Sequence, residues 1–587
     1  MEIGEEQILE RRRRVLFLSL SIGQLLLCVC VLLFCNIKYE VSDDFIMEMV
    51  ASGAYTGEPD AHIMFSNVIL GEVLTLFYRL NTDISWYFIA QVFLCFCSYI
   101  AITYVFSHRL NMGAAVFSVV TLTAFTAQDL YILPQFTKTA VAASMGGLLL
   151  LIYGLFYKRK YIVCIFGALL AISGALVRQK AFYIAVLFAG VIVIYESIRV
   201  LCADKWGFKR VSLGVWLPGA ILLAVVFLCG EINELSYTKN SDYSYYREFS
   251  IVRSQILDYY FPGYTECPEK FEAIGVNQND YEMILNWDFA DSEFFTVEKL
   301  QQVLDIVREC RNNRHTTVID ALRSIKYRQL RYPITLCCMI LGVLCILANW
   351  KKSWAPISSA LIAVILLCHF YAVNRNVYRV EFGILFSAAV LVAYFFEARF
   401  SKKQIDYALC AAAVAVAVFR VPSYLPDESW SDMDDEQYRA MVYDTYYYSW
   451  DYGHDKYSRV IEPGEIRKSF LSELNDNPDK LYVLDFSTCI QTFYYDFSIF
   501  TSSRSVFPKN AVFLAGVTEY HPSVSKYMRE LGNENIMEML LEDNVYFVGN
   551  NSPHMLLQYF HEHGKENVEL EACGIIDDYQ IWKYKLA

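Results

Sequence analysis

Apolar residues fall in long blocks along this chain, each near the ~20 residues an α-helix needs to cross a hydrocarbon core of about 30 Å. The blocks lie near 15–36, 84–106, 114–133, 138–157, 161–177, 181–198, 211–230, 333–349, 354–373, 379–397 and 406–421. They predict a polytopic α-helical membrane protein with about 11 transmembrane helices. The polar connections between them alternate in kind. Basic turns follow every even-numbered span: His108/Arg109, Lys158-Arg159-Lys160, Arg199 to Arg210, Lys351-Lys352 and Arg399/Lys402/Lys403. With the run Arg11 to Arg14 placed in the cytoplasm, all five turns sit on the inner side, as the positive-inside rule requires. The outer side then receives a first loop at 37–83, a large loop at 231–332 and everything after about residue 422.

Periodicity within the outer segments predicts further structure. In HIMFSNVILGEVLTLFYRL (62–80), apolar residues at helical spacing are broken by Ser66, Asn67, Gly71, Glu72 and Arg79. This pattern predicts an amphipathic helix lying on the membrane, because inserting it would invert the five basic turns. TVEKLQQVLDIVRECRNN in the large loop repeats at 3.6 residues and predicts another helix. In the tail, strand-like KLYVLDFS and NVYFVGN alternate with helical SVSKYMREL and HMLLQYFHEHG, predicting a small α/β domain. The expected organisation is a transmembrane module at 1–421, then a linker and an extracytoplasmic α/β domain at 422–587, with PDESWSDMDDEQYR (426–439) as acidic linker.

Composition agrees with the pattern. Hydrophobic residues make up 55% and charged residues 19%, against roughly 45–50% and about 25% in soluble domains, which excludes a single soluble domain. A net charge of −13 argues against nucleic-acid binding. The first apolar block is too long for a signal-peptide core and reads as an uncleaved anchor. Most of the 17 cysteines sit inside apolar blocks as small hydrophobes. Cys267, Cys310, Cys489 and Cys573 lie in polar segments without zinc-site spacing, leaving a disulfide open. No GxGxxG or GxxxxGK[ST] marks a nucleotide site.

The first outer loop, YEVSDDFIMEMVASGAYTGEPDAH (39–62), holds the densest early cluster of acids. Ser42 or Asp43 suits a helix cap and Asp44 complements the helix dipole. Equally, Asp43 or Asp44 suits a general base at the outer membrane face. Glu58, Asp60 and His62 alternate in a turn-forming stretch; they fit either a solvated turn or oxygen-rich ligands of a divalent cation such as Mg or Mn. Arg178 and Lys180 occupy a connection so short that they must lie at the outer surface, opposite to positive-inside anchoring. Lys138, Arg375 and Arg379 share that side, and the i,i+4 spacing of Arg375 and Arg379 predicts one helical face. These cations suit a phosphate or diphosphate, with Glu381 as a competing partner for one Arg.

An inner N-terminus, an acidic SDD just after the first span, an amphipathic helix following it, about eleven spans and an outer C-terminal domain together resemble the GT-C superfamily of integral-membrane glycosyltransferases. The resemblance implies inverting transfer of a sugar from a polyprenyl-phosphate donor to a glycan or lipid-linked acceptor at the outer face. It places the catalytic acid on Asp44 or Asp43, with Asp44 slightly favoured. Donor phosphate falls to some of Lys138, Arg178, Lys180, Arg375 and Arg379. No WWDYG-like motif is present, which disfavours a peptide acceptor. The expected setting is cell-envelope polysaccharide synthesis in a bacterial plasma membrane. A polysaccharide polymerase or ligase, a lipid-linked glycan flippase and a non-catalytic scaffold are the competing readings.

Overall fold

The computed structural model describes residues 2–35, 37–158, 161–203, 207–259, 261–312, 317–330, 332–373, 375, 377–397, 403–424, 473–485, 488, 498–514, 516–549, 552–576 and 579–587. The acidic linker at 426–439 lies outside them. Helices occupy every predicted apolar block: α1 (Glu2–Phe34), α4 (Trp86–Arg109), α5 (Met112–Ala127), α6 (Phe136–Tyr153), α7 (Tyr161–Val177), α8 (Gln179–Cys202), α9 (Leu217–Thr238), α12 (Pro333–Ala348), α13 (Trp354–Ala372), α14 (Tyr378–Tyr394) and α15 (Lys403–Arg420). Between them lie α2 (Ser42–Ser52), α3 (Val68–Leu80), α10 (Ser241–Leu257) and α11 (Val297–Asn312). Among the described residues, eight helical segments are long and apolar enough to cross a membrane. Tyr161–Val177, Pro333–Ala348 and Tyr378–Tyr394, of 17, 16 and 17 residues, fall short of that length, so eleven full-length crossings are not all established.

Small residues bring the central helices together. A Cβ on Gly147 of α6 would lie 2.4 Å from the Ala171 nitrogen of α7, and one on Gly174 would lie 2.7 Å from the Ala140 carbonyl. Such close backbone approach drives helix association where burial from water offers none. Three of the basic turns meet through shared acids, Glu196 and Glu397. Arg109 pairs with Glu196 at 3.6 Å and Glu397 at 3.0 Å, Arg199 with Glu196 at 2.6 Å, and Lys352 with Glu397 at 3.8 Å.

The first loop, the large loop and the tail meet one another. α2 starts directly at Ser42; its N-cap is Val41, which has no capping side chain, so the acids fill the first turn instead. Gly53, at φ 78°, closes α2 with N–H bonds to Met49 and Val50. α3 is capped by the Asn67 side chain and exposes Val73, Leu76, Phe77 and Leu80, the apolar face predicted for a membrane surface. Cys267 and Cys310 pair as a disulfide within the large loop. The tail forms a sheet of β1 (Leu481–Leu484), β2 (Ala511–Phe513), β3 (Val545–Val548), β4 (Val568–Ile576) and β5 (Tyr579–Leu586), ordered β2-β1-β3-β5-β4. β1 runs parallel to β2 and β3, whereas β5 is antiparallel to β3 and β4. Both predicted tail helices are present as α16 (Pro522–Leu531) and α17 (Pro553–Glu562).

This sheet domain docks through buried polar contacts. Glu48 of α2 accepts hydrogen bonds from Tyr78 at 2.9 Å, Ser502 at 3.2 Å, the Ser503 amide at 3.1 Å and the Ser503 hydroxyl. Burial pushes its carboxyl up and these donors oppose the shift. Asp60 accepts from the His62 amide at 2.9 Å, Tyr243 at 2.6 Å and Ser523 at 2.5 Å, joining all three segments.

Candidate anion-binding site

Where these segments meet the α7–α8 junction, a cavity of about 480 Å³ opens. Among the described residues its wall carries Arg178, Lys180, Arg247, Arg253, Arg311 and Arg375 against one carboxylate, Asp258. A second cavity of about 290 Å³ shares Arg178, Lys180 and Arg247 and adds Asn67, Gln179, Asn233 and Glu234. Three of the six cations are occupied. Arg375 donates to Asp258 at 2.7 Å and Tyr259 at 3.3 Å; Arg311 donates to the Gln255 and Ile256 carbonyls at 2.7 and 2.6 Å; Arg247 pairs with Glu234. Arg178, Lys180 and Arg253 have no carboxylate partner among the described residues.

Arg178 is placed by the break in helix between α7 and α8. It takes the N-cap position of α8 in extended conformation, and its Nη1 donates to Thr137 at 3.1 Å. Its guanidinium lies 4.7 Å from the Phe136 ring centroid and 5.7 Å from that of Phe65. Those two rings stack in turn at 5.7 Å. Phe65 holds this position at a φ of 66°, unusual for a bulky residue, and such strain clusters where a chain grips a ligand. Burial, then the neighbouring Arg379 and Arg375, push the Arg178 guanidinium down to about 10. It stays charged at neutral pH, among cations that an anion would relieve.

The two acids of the first loop take different positions. Asp44 is fully buried; its Oδ1 accepts from Tyr87 at 2.9 Å, Gln91 at 2.8 Å and the Phe136 amide at 3.0 Å, while its Oδ2 has no hydrogen-bond partner among the described residues. Burial pushes its carboxyl up to about 8. Asp43 is half-buried beside Arg379, at 3.8 Å, and within electrostatic reach of Arg178 and Arg253. Asp44 is thus enclosed by α4 and α6, whereas Asp43 is the acid that reaches these cations.

Other expected residues do not converge here. Lys138 is fully buried, 2.6 Å from Glu40 and 3.2 Å from Asp129, whose other oxygen accepts from Tyr378 at 3.1 Å; this ion cluster uses its charge. Arg375 and Arg379 share no helical face, since α14 begins only at Tyr378. Glu381 accepts from Gln329 at 2.8 Å. Glu58 is exposed, whereas Asp60 bonds to His62, Tyr243 and Ser523. Burial works to raise the Asp60 carboxyl, but His62, His521, Ser523 and Tyr243 outweigh it and hold it well below the usual range. No group of three or more His, Cys, Asp or Glu among the described residues is arranged to hold a metal ion.

Arg247, Arg253 and Arg311 were not singled out by the sequence pattern, because cations on α10 and α11 read as ordinary solvated helix faces. Their only local signal is the Tyr-rich stretch around DYYFPGY that follows α10.

No protein-family model matches the chain, and no curated protein matches it. Two solved structures align with it: ArnT from Cupriavidus metallidurans bound to undecaprenyl phosphate, and the same protein in the apo state. Each is 10% identical, over 97% of this chain and 97% of that chain, with TM-scores of 0.40 and 0.33. A likeness this remote carries neither residue roles nor activity across.

Proposed function

We propose that this chain is an integral-membrane glycosyltransferase of the GT-C kind. It moves a sugar from a polyprenyl-phosphate donor to a glycan or lipid-linked acceptor in the cell envelope, at the outer face of a bacterial plasma membrane. The N-terminus is cytoplasmic and the C-terminal domain lies outside. The observation that carries this reading is the half-buried Asp43, paired with Arg379 at 3.8 Å and within electrostatic reach of Arg178 and Arg253, two of the three cavity-wall cations without carboxylate partners among the described residues. An Arg-rich wall at a membrane-proximal site suits a phosphate whose hydrocarbon tail stays in lipid.

In the proposed reaction the acceptor oxygen bonds to the anomeric carbon as the bond from that carbon to the phosphate oxygen breaks. The acceptor proton passes to the Asp43 carboxylate, which Arg379 orients. The bonding electrons leave with the polyprenyl phosphate, whose charge Arg178 and Lys180 offset. Attack opposite the leaving group inverts the anomeric configuration.

The test is transfer by purified protein in lipid nanodiscs, supplied with a polyprenyl-phosphate-linked radiolabelled sugar and bacterial membrane lipids or glycans as acceptors. Covalent transfer that falls ~10²–10⁴-fold in Asp43→Asn, with donor binding retained, is the expected result. Wild-type turnover in Asp43→Asn removes Asp43 from the mechanism. Movement of the lipid across vesicles without a covalent product identifies a flippase instead.

A further inference from the structure

Arg253 differs from the other cations of the cavity. Its side chain is only 2% exposed, yet no carboxylate pairs with it among the described residues. Its Nη1 donates to the Gly516 carbonyl at 3.1 Å, its guanidinium lies 4.9 Å from the Trp287 ring centroid, and its Nε has no acceptor among the described residues. A guanidinium carries five N–H donors, and a buried charge is costly unless paired and hydrogen-bonded. Burial also pulls its proton affinity down.

Both anchors of Arg253 come from outside the helical bundle. Trp287 belongs to the large loop, and Gly516 belongs to the C-terminal domain. Gly516 is wedged in place: a Cβ there would lie 2.4 Å from the Trp287 carbonyl. Two turns earlier on α10, Tyr246 donates to the carbonyl of the adjacent Val517 at 3.1 Å. The helix that carries Arg247 and Arg253 is thus held at two points by consecutive residues of the C-terminal domain.

We propose that Arg253 is an anion-binding residue of the cavity, and that the C-terminal domain positions it there through the Gly516 carbonyl. The domain then sets the affinity of a site formed largely by other segments. This assignment rests on reading the cavity as a phosphate site, and it accounts for a buried guanidinium that lines the cavity without a carboxylate partner among the described residues.

The experiment uses the full-length protein in detergent with a polyprenyl monophosphate as probe. Binding and thermal unfolding are measured for wild type, Arg253→Gln, Arg253→Lys, Trp287→Leu and Arg178→Gln. Arg253→Gln is expected to bind at least ~10-fold more weakly, since hydrogen bonds to charged groups are worth that much or more. Arg253→Lys recovers part of the affinity. Trp287→Leu, with every charge intact, weakens binding several-fold. Without the probe, Arg253→Gln unfolds no earlier than wild type, because it removes an uncompensated buried charge; a merely structural arginine would give the opposite. Wild-type binding in Arg253→Gln with weakened binding in Arg178→Gln overturns the role of Arg253 and leaves the cavity reading intact. Wild-type binding in both overturns the cavity reading as well. If Arg253→Gln does not fold, wild-type binding by both Arg253→Lys and Trp287→Leu overturns the assignment.

Discussion

Replacing Lys138 by Met separates a structural cation from a substrate-binding one. The ammonium lies 2.6 Å from Glu40 and 3.2 Å from Asp129, and all three side chains are at most 1% exposed. Removing it leaves two buried carboxylates without the cation they share. Breaking a single buried pair costs about 3–5 kcal/mol, and here one cation serves two partners, so the upper part of that range applies. In detergent, Lys138→Met should therefore unfold well below wild type. Adding Glu40→Gln and Asp129→Asn should restore most of the loss, because the triple variant buries no unpaired charge. The assay is thermal unfolding followed by reaction of a thiol dye with the buried cysteines, with monodispersity checked by gel filtration. A Lys138→Met protein that unfolds with wild type but binds polyprenyl phosphate more weakly would refute this reasoning and return Lys138 to the donor site.

Three further outcomes follow from the same geometry. Asp44 has a folded pKa of about 8 against an ordinary value of 3.8, so its stabilising form is protonated and the wild type loses stability as pH rises between those values. Relative to Asp44→Asn the loss approaches ~1.4 kcal/mol per pH unit inside that window and levels off above it, which unfolding midpoints from pH 4 to 9 would reveal. Glu48→Ala strips an acceptor from Tyr78, Ser502 and Ser503, leaving buried donors at a cost of about 1–3 kcal/mol; limited proteolysis should release the C-terminal domain faster than in wild type. Gly71→Ala would place a Cβ 1.9 Å from the Ala61 carbonyl, so α3 must shift at a cost of ~1–3 kcal/mol, read as a lowered unfolding temperature.

The apolar blocks were legible because each is a local property of 16 to 24 consecutive residues in helices such as α12 and α8. The tail was legible for the same reason, since LYVL and VYFV are β-type runs between helical patterns. The site was legible only in part. Asp43 and Asp44 differ by a rotation of about 100° on a helix, and which one is enclosed depends on Tyr87 and Gln91, more than 40 positions away. Lys138 resembled Arg178 until Glu40 and Asp129 came beside it. Spacing placed Arg375 and Arg379 on one face, but the helix starts between them. Arg253 is ordinary in sequence; its backbone acceptor, the Gly516 carbonyl, lies 263 residues later.

The most direct test of the account is a structure of the protein with a polyprenyl-phosphate-linked sugar bound, solved by electron cryomicroscopy in a lipid nanodisc with Asp43→Asn to slow turnover. The account predicts the phosphate within hydrogen-bonding distance of Arg178, the hydrocarbon tail in the bilayer and the anomeric carbon facing position 43. A headgroup seated away from this cavity, touching neither Arg178 nor the side chain at position 43, would contradict it.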